Sequence, residues 1–228
     1  MNVVVCLRAP PPGPEPDALA VADALALAHA LVLGAGAQRT TTALLGGTSM
    51  EAGSLRLALA AGVDRAVRVA ADDMAGSDFH TIGQLLAIAL RRMGADLVLT
   101  GVRSDDEGLG AAPAAIARHL GANYVSGVEE LALVAEGTVD VVARGGGRRR
   151  RLRVKLPAVL SIAAGPATPA QRPPRAGAAP AIEVIPLSDP EATVVRRRTE
   201  LLGRLEPSSR GVQTVSSAAA LVAALDRR

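Results

Sequence analysis

A helix that turns through one glycine into an apolar strand is the feature that most constrains the fold of this chain. Residues 55–69 read LRLALAAGVDRAVRV, with Leu55 and Leu59 at helical spacing and Val67 beyond Gly62. Glycine readily adopts the left-handed conformation that commonly ends a helix. The segment therefore forms half of an αβ unit, and it predicts a parallel sheet that is flanked by helices.

The rest of the first 164 residues follows the same alternation of elements. Strands are predicted at residues 2–7, 41–45, 66–70, 96–100, 124–128, 130–134, 138–143 and 152–162, and helices at residues 18–33, 50–61, 79–93 and 110–120. Asp17 and Asp78 are expected to cap the first and third helices, and the turn Gly46-Gly47-Thr48 the second. This order predicts an α/β fold: a parallel twisted sheet with helices on both faces, a β-hairpin extension and a C-terminal arm.

Composition divides the chain into three predicted parts. Residues 1–164 form an α/β nucleotide-binding-type domain, residues 165–180 a Pro/Ala/Gly-rich arm, and residues 181–228 a C-terminal partner-docking segment. The arm cannot pack a core by itself. In the last part, a short strand is expected at residues 182–185 and an amphipathic helix at residues 216–225.

Composition and charge argue against several classes of function. Phe79 and Tyr124 are the two aromatic residues, so stacking on nucleobases is nearly excluded as a binding mode. The arginine-rich residues 144–153 fit a strand with one solvated face better than a nucleic-acid site. The single cysteine, Cys6, cannot form an internal disulfide and fits a reducing cytoplasm, and no apolar run is long enough for a membrane span. A cytoplasmic protein without a nucleic-acid partner is predicted.

The residue types that usually carry catalysis or hold metals are not grouped in the sequence. His29, His80 and His119 are far apart and have no cysteine nearby, which favours packed or solvent-facing histidines over metal ligands. The chain has no Gly-x-Ser-x-Gly motif, no Cys-His pair and no Walker loop. We therefore expect neither a metal site nor an enzyme.

Backbone groups at the ends of three predicted strands make the candidate binding site. Ligands of open α/β sheets bind at the carboxyl ends of the strands, where helix N-termini present N–H groups to phosphates. A phosphate or an adenosine ribose fits such a cradle. The predicted binding residues are Cys6, Gly46, Gly47, Thr48, Gly101, Asp106, Glu107, Gly108, Leu109 and Gly110. The alternative is that these glycines only make tight turns between strands and helices.

Three motifs together resemble the β (small) subunit of electron transfer flavoproteins. They are residues 62–65 (GVDR) in their helix–turn–strand, residues 96–101 with their continuation to Gly110, and residues 155–159 (KLPAV), with a weaker echo at residues 182–185. In that family the corresponding strand ends of the small subunit hold AMP, a structural nucleotide, while FAD lies chiefly on the larger subunit.

The resemblance implies a fold, cofactors and partners for the chain. The fold would be a Rossmann-like sheet of the adenine-nucleotide α-hydrolase type. The partner would be an electron transfer flavoprotein α subunit, in a heterodimer that relays electrons from a dehydrogenase to a downstream acceptor. The flavin would supply the redox chemistry.

The chain departs from that family's pattern at three places. Ala111-Ala112-Pro113 stands where the family typically has Gln-Thr-Gly or Gln-Val-Gly, although residues 105–107 keep the acidity of the loop. The excursion before Asp17 is shorter than in the family. Residues 163–179 take the place of a leucine-containing loop that recognises dehydrogenases, but they contain no leucine. They are either a docking loop of another kind or a linker.

Two other functions fit the sequence less well. A stand-alone adenine-nucleotide-binding regulatory module resembling universal stress proteins would need a Gly-Ser pair near residues 101–110, and the sequence has none there. A nucleic-acid binder would use the arginines of residues 148–153, but it lacks the aromatic residues and any supporting motif. The small subunit of an electron transfer flavoprotein is the preferred prediction.

Overall fold

The part of the chain that the structure describes contains nine strands and four helices, which alternate from β1 to β5. The computed structural model describes residues 1–8, 19–36, 38–47, 52–70, 78–103, 109–135, 137–164, 181–186 and 217. The elements are β1 (Asn2–Leu7), α1 (Val21–Gly34), β2 (Thr40–Gly47), α2 (Gly53–Ala61), β3 (Arg65–Ala70), α3 (Phe79–Arg92), β4 (Leu97–Gly101), α4 (Ala112–Leu120), β5 (Asn123–Ala135), β6 (Thr138–Gly145), β7 (Arg148–Lys155), β8 (Ala158–Ile162) and β9 (Ile182–Ile185).

All nine strands join one sheet in the order β7-β6-β5-β8-β4-β1-β2-β3-β9. The seven strands from β5 to β9 in this order are parallel to their neighbours. Strands β6 and β7 add two antiparallel pairings at one edge. The α/β class, the mostly parallel sheet and the hairpin extension are therefore confirmed.

Helices cover both faces of the sheet, because the side chains of a strand alternate between its two faces. On β1, Val3, Val5 and Leu7 belong to the core beneath α1 and α2. Val4 and Cys6 belong to the core beneath α3 and α4. A strand that is buried on both faces appears in sequence as a continuous apolar run, as residues 3–7 do.

The predicted caps hold at two of the four helices. Gly62 ends α2 in the left-handed conformation, with φ 104°. Asp78 caps α3, and its carboxylate accepts a hydrogen bond of 2.8 Å from the Thr81 N–H. Helix α1 begins at Val21 with Ala20 at its N-cap, so the prediction that it starts at residue 18 was wrong; Asp17 itself lies outside the described residues.

The start of α2 was also misplaced. Strand β2 continues through Gly46 to Gly47, and α2 begins at Gly53 with Ala52 at its N-cap. The Gly46-Gly47-Thr48 turn therefore does not cap this helix. The two glycines still pair with β3, because a strand inside a sheet continues for as long as its neighbour offers hydrogen-bond partners.

Two predictions for the later strands needed correction. Residues 124–128 and 130–134 belong to one strand, β5, which has two register shifts against β6. Residues 152–162 are two strands, β7 at the edge of the sheet and β8 in its interior. The break falls at Leu156 and Pro157, since proline has no N–H to continue the ladder.

The arginines of β7 lie on a solvated strand, as the sequence indicates. Arg149 donates to the carboxylates of Glu129 and Glu130, at 2.8 Å and 2.6 Å. Arg153 donates to both oxygens of Asp140 and thereby lowers the pKa of that carboxyl group. Charged side chains on an edge strand discourage pairing with other strands, so a structural role accounts for this run.

Residues from the third predicted part of the chain complete the other edge of the sheet. Strand β9 pairs in parallel with β3, and Arg65 of β3 binds both carboxylate oxygens of Glu183, at 3.0 Å and 2.8 Å. The predicted short strand at residues 182–185 is thus confirmed. The division into three parts stays a prediction, and both the arm at residues 165–180 and the helix at residues 216–225 lie outside what the structure describes, apart from Ser217.

Helices α3 and α4 approach each other at Gly83. A Cβ atom at this position would lie 2.5 Å from the Ala115 Cβ and 3.2 Å from the Ile116 nitrogen. Alanine is favoured over glycine in a helix by about 1 kcal/mol, but overpacking typically costs about 1–3 kcal/mol. We expect Gly83→Ala to lower the free energy of unfolding in urea by about 1 kcal/mol.

The double variant Gly83→Ala/Ala115→Gly is the control for this contact. Removing the Ala115 Cβ relieves the closest clash, so the double variant should be more stable than the sum of the two single changes predicts. Purely additive effects would show that the helices are not in contact at this point.

The described helices are all too short or too polar to cross a membrane.

Candidate functional site

The order of the strands reverses next to β1. From β1 the chain passes to β2 and β3 on one side and then returns to β4 on the other side of β1. Ligands of open α/β sheets bind outside the strand ends at such a switch point. A cleft of about 120 Å³ lies at this position, bounded by the ends of β1 and β4 and the first turns of α3 and α4.

The inner part of the cleft, here called its floor, is almost entirely apolar. Cys6 and Thr100 lie side by side on β1 and β4 and both line the cleft. Ile82 and Leu86 of α3 and Ile116 of α4 line it from the helix layer. Of these five residues, only Thr100 carries a strong hydrogen-bonding group in its side chain.

The outer part, here called the rim, is positively charged and includes exposed apolar side chains. Arg8 and Arg103 line it, and Phe79 and Leu109 are 43% and 64% exposed. The Arg8 Nη2 donates 2.8 Å to the carbonyl oxygen of Arg103. Asp23 brings one negative charge, but its carboxylate is buried and accepts 2.9 Å from the Arg8 N–H.

Cys6 is held as a neutral thiol. Its side chain is buried, and loss of hydration disfavours the thiolate; the Asp23 carboxylate disfavours it further. Both effects raise the pKa of Cys6 far above the usual range of a thiol. A protonated and buried thiol is a poor nucleophile, so Cys6 contributes shape to the floor of the cleft and no covalent chemistry.

Four of the predicted binding residues line the cleft: Cys6, Gly101, Leu109 and Gly110. Gly46 and Gly47 end β2, and a Cβ atom on Gly46 would meet the Leu85 and Leu86 side chains. Thr48, Asp106, Glu107 and Gly108 lie outside the described residues. The predicted convergence of strand ends is thus present at β1 and β4, while the binding roles stay predictions.

The two glycines that line the cleft have structural reasons to be glycine. A Cβ atom on Gly101 would lie 2.6 Å from an Asp23 oxygen and 3.0 Å from the backbone of Ala22. Gly110 has φ +61°, and its Cβ would meet the Val102 carbonyl oxygen at 2.5 Å. A larger side chain at Gly110 would therefore strain the backbone before it reached the space of a ligand.

Three helices begin at the cleft, and they differ in charge. Helix α1 has Asp23 in its first turn, and α3 is capped by Asp78. Helix α4 has no acidic residue in its first turn, and its N-cap Ala111 offers no side-chain hydrogen bond. Because a helix N-terminus attracts anions when its N–H groups are uncapped, α4 is the most favourable of the three for a phosphate.

Comparison with known proteins identifies the family of this chain. The model of the electron transfer flavoprotein domain matches residues 15–190. The chain belongs to the electron transfer flavoprotein domain family. It is 33% identical over 114 residues to the electron transfer flavoprotein subunit beta of Methylophilus methylotrophus, which covers 49% of this chain and 43% of that protein.

Two further relatives are similar to this chain over comparable lengths. The subunit beta of Mycobacterium tuberculosis (strain ATCC 25618 / H37Rv) is 33% identical over 128 residues, 56% of this chain and 48% of that protein. Protein FixA of Bradyrhizobium diazoefficiens is 32% identical over 116 residues, 48% of this chain and 40% of that protein. The chain thus matches about half the length of the curated relatives, or slightly less.

Two residues that line the cleft were not predicted from the sequence. Phe79 was counted among the scarce aromatic residues, but its position directly after the Asp78 cap puts it at the rim. Thr100 is a polar residue in the otherwise apolar strand LVLTG, and this was a usable signal. Its hydroxyl oxygen is buried and makes no hydrogen bond to any residue that the structure describes.

The histidines of this family member form no metal centre within the described ranges. The rings of His80 and His119 pack edge to face, with centroids 4.9 Å apart. The Nε2 atom of His29 lies 3.0 Å from the Ala164 carbonyl oxygen. A ring contact thus engages His80 and His119, and a hydrogen bond engages His29.

Proposed function

We propose that the chain is the small subunit of a heterodimeric electron transfer flavoprotein. In this role it pairs with an α subunit and relays electrons from a dehydrogenase to a downstream acceptor. The observation that carries the proposal is the family match over residues 15–190. The relatives named subunit beta support the assignment to the small subunit.

The cleft does not fit FAD. Its volume of about 120 Å³ is well below the range of roughly 300–1,000 Å³ that encloses a whole organic ligand. Phe79 is the one aromatic side chain that lines it. We therefore assign FAD chiefly to the partner subunit and derive no redox step from this cleft.

An adenine nucleotide such as AMP fits the cleft in part. We place its phosphate at the rim, where the uncapped N-terminus of α4 and the guanidinium groups of Arg8 and Arg103 attract an anion. Loss of the Gln-Thr-Gly element removes one polar side chain from this region, and backbone N–H groups of Ala112 and Ala114 remain. Pro113 has none.

Co-expression with the α subunit tests the proposed function. We expect a stable heterodimer with the absorbance spectrum of an oxidised flavin and a ratio of about one flavin per pair. The chain expressed alone should be colourless, because the cleft at the switch point is too small to enclose a flavin. The α subunit expressed alone is the control for flavin retention.

The flavin content decides between the roles of the two subunits. Stoichiometric flavin on the purified single chain would contradict the assignment of FAD to the partner. If no complex forms, or if the complex forms without flavin, the small-subunit function is wrong.

A further inference from the structure

We propose that the antiparallel edge of the sheet carries a docking surface for a second partner protein, one with an acidic surface, in addition to the α subunit. This surface, here called the basic face, is the outer side of β6, β7 and residues 128–135 of β5. Its cationic residues are all exposed and are Arg144, Arg149, Arg151, Arg153 and Lys155. The inference goes beyond the proposed function, which leaves the charge and the docking surface of any second partner open.

The register of the strands places these cations on one side of the sheet. Side chains alternate between the two faces of a strand, and directly paired residues share a face. Arg153 lies opposite Asp140 of β6, whereas the residues on either side of Asp140, Val139 and Val141, belong to the core. Every second residue of β7 over residues 149–155 is therefore a cation on the outer side, in a row about 20 Å long.

The net positive charge of the chain is concentrated at this edge. Residues 123–155 contain seven Lys and Arg residues against four Asp and Glu residues, and the whole chain has 25 against 22. The surplus of this segment equals that of the whole chain, so the rest of the chain is balanced. Protection of a sheet edge requires charge but no surplus of one sign. A one-signed surface instead steers an oppositely charged partner toward itself.

Two carboxylates of the basic face lie beneath the arginines that bind them. The side chains of Glu129 and Asp140 are 14% and 16% exposed, whereas those of Arg149 and Arg153 are 51% and 66% exposed. Glu130 is the exception among the carboxylates described here, with 64% exposed. A partner that approaches this face therefore meets guanidinium groups first, and the surface is more positive than the count of charges indicates.

Arg151 is the cation at the centre of this row that is available to a partner. Its neighbours Arg149 and Arg153 are held by carboxylates, but Arg151 makes no ion pair or hydrogen bond with any residue that the structure describes. The hydrogen bond from Arg153, and then the charge of Arg151, lower the pKa of Asp140. Neighbours that are already fixed lose little entropy on docking. The guanidinium group of Arg151 can bind a carboxylate of the partner through two hydrogen bonds.

A protein fits the basic face better than a nucleic acid does. Glu130 and Asp140 lie among the cations and would repel the closely spaced phosphates of a nucleic acid. Ala132 and Val142 lie between the charges, and protein interfaces combine such apolar side chains with arginine. Residues 128–155 contain no aromatic side chain on which a base could stack.

The test measures binding of a fluorescently labelled oligoglutamate peptide to the full chain and to the co-expressed heterodimer, by fluorescence anisotropy at increasing salt. Both should bind the peptide, with an affinity that falls as salt screens the charges. Arg151→Glu should weaken binding at least about tenfold, and Arg151→Ser about threefold. Neither change removes an ion pair within the described ranges, so both variants should unfold at the urea concentration of the wild type.

Arg118→Glu is the matched control. Arg118 is an exposed arginine of α4, outside the basic face, and this substitution changes the net charge of the chain as much as Arg151→Glu does. The peptide should bind this variant nearly as it binds the wild type, because salt screens exposed charges that lie more than about 10 Å away. An oligolysine peptide should not bind any of the proteins.

Three results would overturn the inference. Equal losses in Arg151→Glu and Arg118→Glu would mean attraction to the net charge alone. A larger effect of Arg151→Glu on binding of duplex DNA than on binding of the peptide would assign the face to nucleic acid. Loss of peptide binding in the heterodimer would mean that the α subunit covers the face.

The proposed function is tested independently of this surface. The flavin content of the heterodimer does not depend on peptide binding, so none of the three results changes it. A colourless pair that binds the peptide as expected would overturn the small-subunit function and leave the docking surface in place.

Discussion

Replacing Gly101 with alanine should destabilise the chain by about 3 kcal/mol, the upper end of what overpacking costs. The added methyl group would lie 2.6 Å from the Asp23 carboxylate, 2.8 Å from the Ala22 Cβ and 3.0 Å from the Ala22 backbone. The backbone of α1 cannot move away without disturbing its packing on the sheet. Urea unfolding monitored by circular dichroism measures the loss.

Gly46→Ala is the matched control for this substitution. Gly46 also lies near the carboxyl end of a central strand, but its added methyl group would meet only the ends of the Leu85 and Leu86 side chains, at 3.0 Å and 3.2 Å. Side-chain ends can shift by rotation, so we expect a loss below about 1 kcal/mol. Equal losses in the two variants would show that the close approach of α1 to β4 does not determine stability.

The central strands and one helix cap could be predicted because the signals are local. Residues 3–7 form an uninterrupted apolar run, and the structure begins and ends β1 at the predicted residues, Asn2 and Leu7. Asp78 has the short carboxylate and the extended backbone that suit an N-cap, and it stands directly before an amphipathic segment. Local sequence is sufficient where neither sheet neighbours nor distant contacts decide the boundary.

Boundaries failed where distant parts of the chain decide them. Gly46 and Gly47 suggest a turn in sequence, yet β3 offers them pairing partners and β2 continues. Residues 152–162 suggest one strand, yet β7 pairs with β6 and β8 lies between β5 and β4. These pairings join residues that are far apart, so no local pattern encodes them.

The position of the site could be predicted from topology, but the arrangement of the side chains that line it could not. Parallel strands place their carboxyl ends at one edge, so the convergence of Cys6 with Gly101 could be predicted. The requirement for glycine at position 101 comes from Asp23, which is 78 residues earlier and reaches β4 only through the packing of α1. The unpartnered state of Thr100 depends on every neighbouring side chain, and sequence alone does not provide it.

Burial of Cys6 in the cleft makes the stability of the chain depend on pH. Burial, and then the Asp23 carboxylate, raise the pKa of Cys6 in the folded chain, whereas the unfolded thiol titrates near its ordinary value of about 8.5. Below that value both states are protonated and the thiol contributes no pH dependence. Above it the unfolded chain releases a proton that the folded chain keeps, so stability falls as pH rises.

The expected loss is about 1.4 kcal/mol per pH unit above 8.5, or about 2 kcal/mol at pH 10. Urea unfolding of the wild type and of Cys6→Ala between pH 7 and pH 10 measures it. The alanine variant cannot ionise at this position. Between pH 7 and pH 10 it should therefore lose about 2 kcal/mol less stability than the wild type. Other groups that titrate near pH 10 affect both proteins equally.

A thiol reagent gives an independent measure of the same burial. At pH 8 the folded wild type should react at least about tenfold more slowly than the chain in urea, because the thiolate is the reactive form and the folded chain holds very little of it. Cys6 would be open to water if the stability of the wild type and of Cys6→Ala changed equally with pH and if the thiol reagent labelled the folded chain rapidly. The floor of the cleft would then be wetter than its apolar lining indicates.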